Sequence, residues 1–137
     1  MNRRGCLIGT VAALVFASAL AACRRDLRTA DGVTEEFLDQ HYVHINLVKA
    51  REYTVGLAEK KVDEEIRLTA GQVIDASTRK PRVHYRLLER KESADRVSFL
   101  YLATIQPEDA PEFTRRWLVF ARKHGDTWRV SNFTEFD

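Results

Sequence analysis

The sequence predicts an α+β fold in which three helices precede a curved antiparallel sheet of four strands. From Val33 to Thr69 the hydrophobic residues recur about every 3.6 positions, which is typical of amphipathic helices. After Pro81 the period falls to two, which is typical of strands. The 137 residues, 45% of them hydrophobic, suffice for one packed domain and are too few for two.

Three helices are predicted in the first half of the chain. The first runs from Gly32 to Ile45, with Asp31 as its N-cap. A short second helix spans Leu47 to Gly56, because a glycine commonly ends a helix. The third begins at Leu57 and stops at Gly71. Its charges recur at i,i+4, as in Lys60/Glu64, Lys61/Glu65 and Asp63/Arg67, which predicts a solvated face.

Four strands are predicted in the second half, at Arg82–Arg90, Arg96–Gln106, Thr114–Lys123 and Thr127–Phe133. Short turns separate the first two and the last two, and two prolines lie in the longer middle connection. Consecutive strands joined in this way pair antiparallel, so a meander is expected.

The N-terminus has the layout of a signal peptide. Arg3 and Arg4 precede an uncharged run from Leu7 to Leu20, which is shorter than the roughly 20 residues that a permanent membrane helix needs. The tetrad Leu20-Ala21-Ala22-Cys23 resembles the bacterial lipoprotein box. The alternative is an ordinary secretory signal cut after Ala21, which would leave Cys23 as a free thiol.

The lipoprotein resemblance implies that Cys23 is diacylated, palmitate being one such acyl group, and becomes the first residue of the mature chain. Residues 1–22 would then be the signal peptide, 23–31 a lipidated cysteine and short tether, and 32–137 the single domain. Arg24, rather than aspartate, follows the cysteine, which by the same resemblance implies the periplasmic face of the outer membrane in a bacterial cell envelope.

The mature chain would carry no net charge. Removing residues 1–22 takes away Arg3 and Arg4 and leaves 20 Lys and Arg against 20 Asp and Glu. Nucleic acid is therefore not an expected partner. Cys6 is removed as well, which excludes an internal disulfide and a cysteine metal site.

The element order, with the closing strand Trp128-x-Val130, resembles the NTF2-like superfamily, which also includes cystatin-like and ketosteroid isomerase-like folds. The resemblance implies helices filling the concave side of a curved sheet. The chain departs from that pattern in having fewer strands and no helix between the early strands.

Both faces of the predicted sheet are apolar, although helices can cover only one. If neighbouring strands keep the assumed parity, the second face is a protein contact surface, since aromatic and arginine side chains are enriched at interfaces. Its predicted members are Leu100, Leu102, Leu118, Phe120, Arg86, Arg116, Arg122 and Arg129. The partner is a second copy or another envelope protein. The alternatives to a contact surface are that the sheet curls around the helices and covers both rows itself, or that the short second helix packs there.

The sequence contains no complete catalytic constellation, so we expect no catalytic residues, no metal and no cofactor. His41, His44 and His84 are candidate metal ligands without an HExxH helix. Asp39 and Glu52 are helical carboxylates that could replace the absent inward base on the central strands.

We therefore expect a membrane-anchored, non-catalytic binding or protein-interaction domain. The alternative is a small-pocket enzyme or a small-molecule carrier of the NTF2-like type. The two differ in whether the space between helices and sheet is filled. Its predicted lining is Phe37, His41, Tyr42, Ile66, Phe99, Tyr101 and Trp117.

Overall fold

A computed structural model describes residues 24–137, so the predictions for the leader and for Cys23 lie outside the described residues. In this part of the chain the helices are α1 (Ala30–Leu38), α2 (Leu47–Arg51) and α3 (Gly56–Leu68). A π-helical turn, Asp39–Val43, continues α1. The three predicted helices are present, with different ends.

Helix α1 begins two residues before the predicted start and is capped by a different residue. Thr29 has extended backbone angles, and its hydroxyl accepts the N–H of Gly32 at 3.0 Å, whereas Asp31 lies inside the first turn. Asp31 as N-cap was therefore wrong. A threonine hydroxyl satisfies a free N–H of the first turn as an aspartate would.

Gly56 opens α3 instead of ending α2. Helix α2 stops at Arg51, because the residues that follow form backbone hydrogen bonds with the edge strand of the sheet. The Tyr53 carbonyl accepts the N–H of Val130 at 2.8 Å, and the Val55 N–H donates to the Val130 carbonyl at 2.9 Å. Gly56, at a φ of 59°, then turns the chain into α3.

The predicted i,i+4 pairs of α3 are replaced by contacts with other elements. The Asp63 carboxylate accepts from Arg51 of α2, and Lys61 donates to the Phe133 carbonyl at 2.6 Å. Arg67 pairs with Glu64, three positions away. The charged side chains of α3 thus contact α2 and the sheet as well as solvent.

The sheet is the predicted four-stranded antiparallel meander, in the order β1-β2-β3-β4. The strands are β1 (Arg82–Glu92), β2 (Arg96–Gln106), β3 (Phe113–His124) and β4 (Thr127–Phe136). The register shifts between Leu87 and Glu89 on β1 and between Phe120 and Ala121 on β3. Such bulges bend strands and increase the local twist.

The core lies between the helices and one face of the sheet, which we call the inner face. Helix α1 contributes Val33, Phe37 and Leu38, all fully buried, and α3 contributes Ala58 and Val62. The sheet contributes alternate residues of its strands. The buried members are Val97, Phe99, Tyr101, Ala103, Trp117, Val119, Ala121, Val130 and Phe133.

Replacing Gly32 by Ala tests whether residues 24–28 are held on α1. A Cβ at position 32 would lie 1.9 Å from the Asp26 carbonyl oxygen, which also accepts two hydrogen bonds from Thr29. We expect the segment to detach and trypsin to cut after Arg28 at least about tenfold faster, because each lost hydrogen bond is worth about 1 kcal/mol.

Gly125→Ala is the control for that experiment. Gly125 has a φ of 63° and open space around it, so alanine strains a distant turn without touching residues 24–28. Cleavage after Arg28 should keep its normal rate in this variant. Equal acceleration in both variants, or none in G32A, would contradict the packing of the segment on α1.

Candidate functional site

The face of the sheet opposite the helices, which we call the outer face, carries all eight residues predicted for a contact surface. Residues directly opposite on paired strands point to the same side. Leu100 pairs with Leu118, Leu102 with both Arg86 and Arg116, and Arg122 with Arg129. Phe120 pairs with Ser98 on the same face. The register therefore brings the set together.

The apolar members of this face are half-buried, and no element among the described residues covers them. Leu100, Leu102, Leu118 and Phe120 keep part of their surface open to solvent, whereas their inward neighbours Phe99, Tyr101, Trp117 and Val119 are at most 2% exposed. Helices on one side only explain the difference. The outer face is thus a continuous apolar strip at the surface.

Positive charge surrounds the apolar strip. The outward positions of the four strands hold seven cationic side chains and one carboxylate, Glu89, which leaves a formal charge of +6. The cations are Arg82, Arg86, Lys91, Arg96, Arg116, Arg122 and Arg129. Three of them, Arg82, Lys91 and Arg96, were not in the predicted set.

Two of the arginines lie over aromatic rings of the same face. The Arg96 guanidinium is 4.4 Å from the centre of the Phe120 ring, and that of Arg116 is 6.0 Å from the Phe136 ring. Such contacts attract the guanidinium to the ring while leaving its N–H groups available. Depressions of about 210 and 440 Å³ adjoin Arg96, the larger also lined by Asp95 and Arg122.

The seven residues predicted to line an interior pocket pack mainly against one another and against the core. Tyr42 stacks on Trp117 with ring centres 3.9 Å apart, and His41 lies 4.3 Å from Tyr42 and 5.2 Å from Phe37. Phe99 stacks on Tyr101, and Ile66 packs against this cluster from α3. The space between helices and sheet at these residues is filled by side chains.

The three candidate histidines lie apart. His41 Nε2 is 2.5 Å from a carboxylate oxygen of Glu65, a partner the sequence did not suggest. His44 is exposed at the end of the π-helical turn, and His84 is exposed on the outer face of β1. Within residues 24–137 no group of three His, Cys, Asp or Glu side chains is placed to hold a metal ion.

The two candidate carboxylates are engaged in structural contacts. Asp39 accepts a hydrogen bond from the Tyr85 hydroxyl at 2.6 Å and forms an ion pair with Arg25, while Glu52 pairs with Lys49. Burial raises the pKa of the Tyr85 phenol above its usual range, and the bond to Asp39 raises it further. The Asp39 carboxylate is thus engaged by two donors, Tyr85 and Arg25.

Arg25 holds the start of the described chain on α1, an arrangement that the sequence did not predict. Its guanidinium contacts the carboxylates of Glu35 and Glu36 at 3.3 Å each, besides Asp39. Burial lowers the pKa of Arg25, but its hydrogen bonds to Asp39 and Glu36 and the charges of neighbouring groups together outweigh burial and raise the pKa. Within the short tether predicted at 23–31, Arg25 is thus held against α1 and its π-helical extension, while most of its neighbours are exposed.

Among the described residues no helix has the length and apolar character needed to span a bilayer. Cys23 and the lipoprotein box lie before the first described residue. The anchoring prediction therefore stays a prediction.

Comparison with known proteins identifies similar structures but no similar sequence. No family model matches the chain, and no curated protein is significantly similar in sequence. A structure from Thiobacillus denitrificans, described as a putative calcium/calmodulin-dependent protein kinase type II association domain, is 14% identical. It matches 78% of this chain and 93% of its own with a TM-score of 0.61.

Two further solved structures are similar in the same region. A SEC-C motif-containing protein from Rhodopseudomonas palustris is 14% identical, and the match covers 82% of this chain and 83% of that one at a TM-score of 0.56. A hypothetical protein from Catenulispora acidiphila, described as having a ketosteroid isomerase-like fold, is 10% identical. Its match covers 80% of this chain and 87% of that one at a TM-score of 0.49. The first two similarities show that the chain shares an α+β fold with these proteins.

Proposed function

We propose that this protein is a membrane-anchored, non-catalytic interaction domain whose outer sheet face is the contact surface. The observation that carries the proposal is the uncovered apolar strip of Leu100, Leu102, Leu118 and Phe120, bordered by arginines. An apolar centre with an arginine-rich border is the composition that protein interfaces favour.

The packed interior supports a binding role over the alternative of a small-pocket enzyme or carrier. A ligand between helices and sheet would have to displace the stacked Tyr42 and Trp117 rings. The carboxylate nearest to a tyrosine hydroxyl, Asp39, is occupied by Arg25 and Tyr85. A substrate pocket needs open volume and a poised acid or base, and this region offers packing and ion pairs instead.

The anchor we propose is the diacylated Cys23, at the periplasmic face of the outer membrane. The packing of Arg25 supports a short connection, because its guanidinium binds three carboxylates of the first helix and its π-helical extension. Arg24 alone then lies between Arg25 and the lipid-bearing Cys23. The domain would sit directly on the bilayer, with the helix layer towards it.

We further propose that the domain is NTF2-like. The support is the order of three helices and a four-stranded meander, with every helix on the inner face. The similar Thiobacillus protein is described as an association domain, and association through protein surfaces is the role proposed for this chain.

Site-specific photocrosslinking in the native envelope tests this function. A photoreactive phenylalanine analogue replaces Leu102 at the centre of the outer face in the full-length chain, and Lys60 of α3 in the matched control. We expect a crosslinked protein from position 102 and none from position 60. The absence of a product at 102, or equal products at both positions, would remove the outer face as the contact surface.

A further inference from the structure

The two layers of the domain carry opposite charge. The outward strand positions have a formal charge of +6, whereas residues 30–68, which form the helix layer, hold nine acidic and five basic side chains, a charge of −4. We infer that the partner on the outer face is an acidic protein surface rather than a second copy of this chain. The inference rests on the proposed function and names the chemistry of its partner.

The outer cations lack the carboxylates that other cations of the domain have. Arg25, Arg51 and Arg90 each contact at least two carboxylates. Of the seven outer cations, Lys91 alone has a carboxylate within 4.0 Å in the part of the chain that the structure describes, namely Glu89. The outer guanidinium groups therefore have donors to offer to an incoming acid.

A symmetric dimer through this face would be opposed by its own charge. A two-fold axis presents the same surface from both copies, so +6 would meet +6 across the contact. Like charges placed opposite one another at an interface cost several kcal/mol. Carboxylates on a partner would instead pair with Arg86, Arg116, Arg122 and Arg129, in the bidentate geometry that arginine favours.

The apolar strip adds a second requirement for the partner. Leu100, Leu102, Leu118 and Phe120 lie between the arginines in the middle of the face. A purely acidic polymer would leave this strip wet. The fitting surface carries carboxylates at its border and apolar or aromatic side chains at its centre.

The anchoring membrane is on the wrong side to be this partner. Arg25 is fixed to α1, and a chain of two residues reaches at most about 7 Å back to Cys23. Arg25 pairs with Asp39, which accepts a hydrogen bond from Tyr85 on the inner face of β1, so the attachment point lies on the helix side of the sheet. The outer face consequently points away from the bilayer that holds the lipid, towards proteins in the aqueous space.

The test uses the full-length chain in non-ionic detergent and a labelled random copolymer of glutamate and tyrosine as the acidic, aromatic probe. Arg86 and Arg116, both exposed on the outer face, are replaced together by Glu. We expect the copolymer Kd to rise at least about tenfold, since an attraction becomes a repulsion at two contacts. The control, Lys60→Glu with Lys123→Glu, makes the same change in net charge away from this face and should stay within about twofold of the original Kd.

Several outcomes would overturn the inference. The first is a copolymer Kd of the outer-face variant equal to that of the wild type, and the second is a control variant that weakens copolymer binding as much as the outer-face variant does. The third is tighter binding to phosphatidylglycerol vesicles than to the copolymer, with the vesicle binding lost when Arg86 and Arg116 are replaced. A wild-type dimer in sedimentation that forms through position 102 would also overturn it, by putting a second copy on the face. That dimer, or a crosslink at position 102 with normal copolymer binding by the variant, leaves the proposed function standing. No crosslink at position 102 removes both.

Discussion

Replacing Trp117 by Ala is expected to lower the free energy of unfolding by about 3–5 kcal/mol, as for other large aromatic side chains in cores. Trp117 is 1% exposed on the central strand β3 and stacks on Tyr42, with Tyr85 5.8 Å away. Domains of this size are stable by about 5–15 kcal/mol, so the loss is a large share of the total. Thermal unfolding followed by near-UV circular dichroism should show a Tm lower by roughly 10–20 °C.

Leu118→Ala is the matched control, because Leu118 is the next residue on β3 and points to the outer face. Its half-buried side chain leaves no enclosed cavity, so we expect a loss of about 1 kcal/mol. Equal losses in the two variants would contradict the assignment of inner and outer faces.

Trp117→Phe refines the same experiment. The indole N–H of Trp117 is buried and has no acceptor among the described residues. Phenylalanine removes that unsatisfied donor while keeping most of the ring volume, so the variant should lose less than about 1.5 kcal/mol. A loss as large as that of the alanine variant would mean that the indole N–H has an acceptor after all.

Local periodicity was sufficient to predict the sheet. The period-two pattern placed β2 at Arg96–Gln106, the range observed, and the other three strands differ from prediction only at their ends. Alternation also separates Trp117 from Leu118 without any knowledge of register. Successive residues of a strand point to opposite faces, so an error of one residue in the alignment would have moved all apolar side chains to the other face.

Contacts between distant residues could not be predicted in the same way. Glu65 was expected to pair with Lys61 on its own helix, yet it contacts His41, 24 positions earlier. Gly56 was expected to end a helix, but backbone pairing of Tyr53 and Val55 with Val130 makes it a start. These partners are set by tertiary packing, which local spacing does not encode.

The charged residues of the outer face can be read from the sequence, but the strand register is needed to assign each of them to that face. The predicted set contained Arg86, Arg116, Arg122 and Arg129, whereas Arg82, Lys91 and Arg96 join them only through the pairing of β1 with β2 and of β2 with β3. The zero net charge counted for residues 23–137 concealed the separation of the two signs. Net charge describes solubility and long-range attraction, but it does not show how charge is distributed between the faces of a domain.

Replacing Cys23 by Ser is expected to move the protein from the membrane fraction almost completely into the soluble fraction. Each buried CH₂ of an acyl chain contributes about 0.8 kcal/mol to membrane binding, and two chains together give stable attachment. A serine offers no thiol for acylation, so this contribution is lost as a whole. Fractionation of cells expressing the full-length variant, followed by mass analysis of the N-terminal peptide, measures the effect.

A retained leader would complicate that fractionation, because the variant would still carry the apolar run of residues 7–20. The matched control keeps the Cys23→Ser substitution and replaces residues 1–22 by an ordinary cleavable secretion signal. Its mature chain begins at the same position without acyl groups, and it too should be soluble. This cleaved form lacks both the leader and the acyl groups but keeps the contacts of Arg25 with its three carboxylates. Its association with the membrane would therefore show that a surface of the domain binds the bilayer directly. Soluble behaviour in both variants, with fatty-acid mass on the wild-type Cys23 peptide, would leave the lipid as what holds the domain on the membrane.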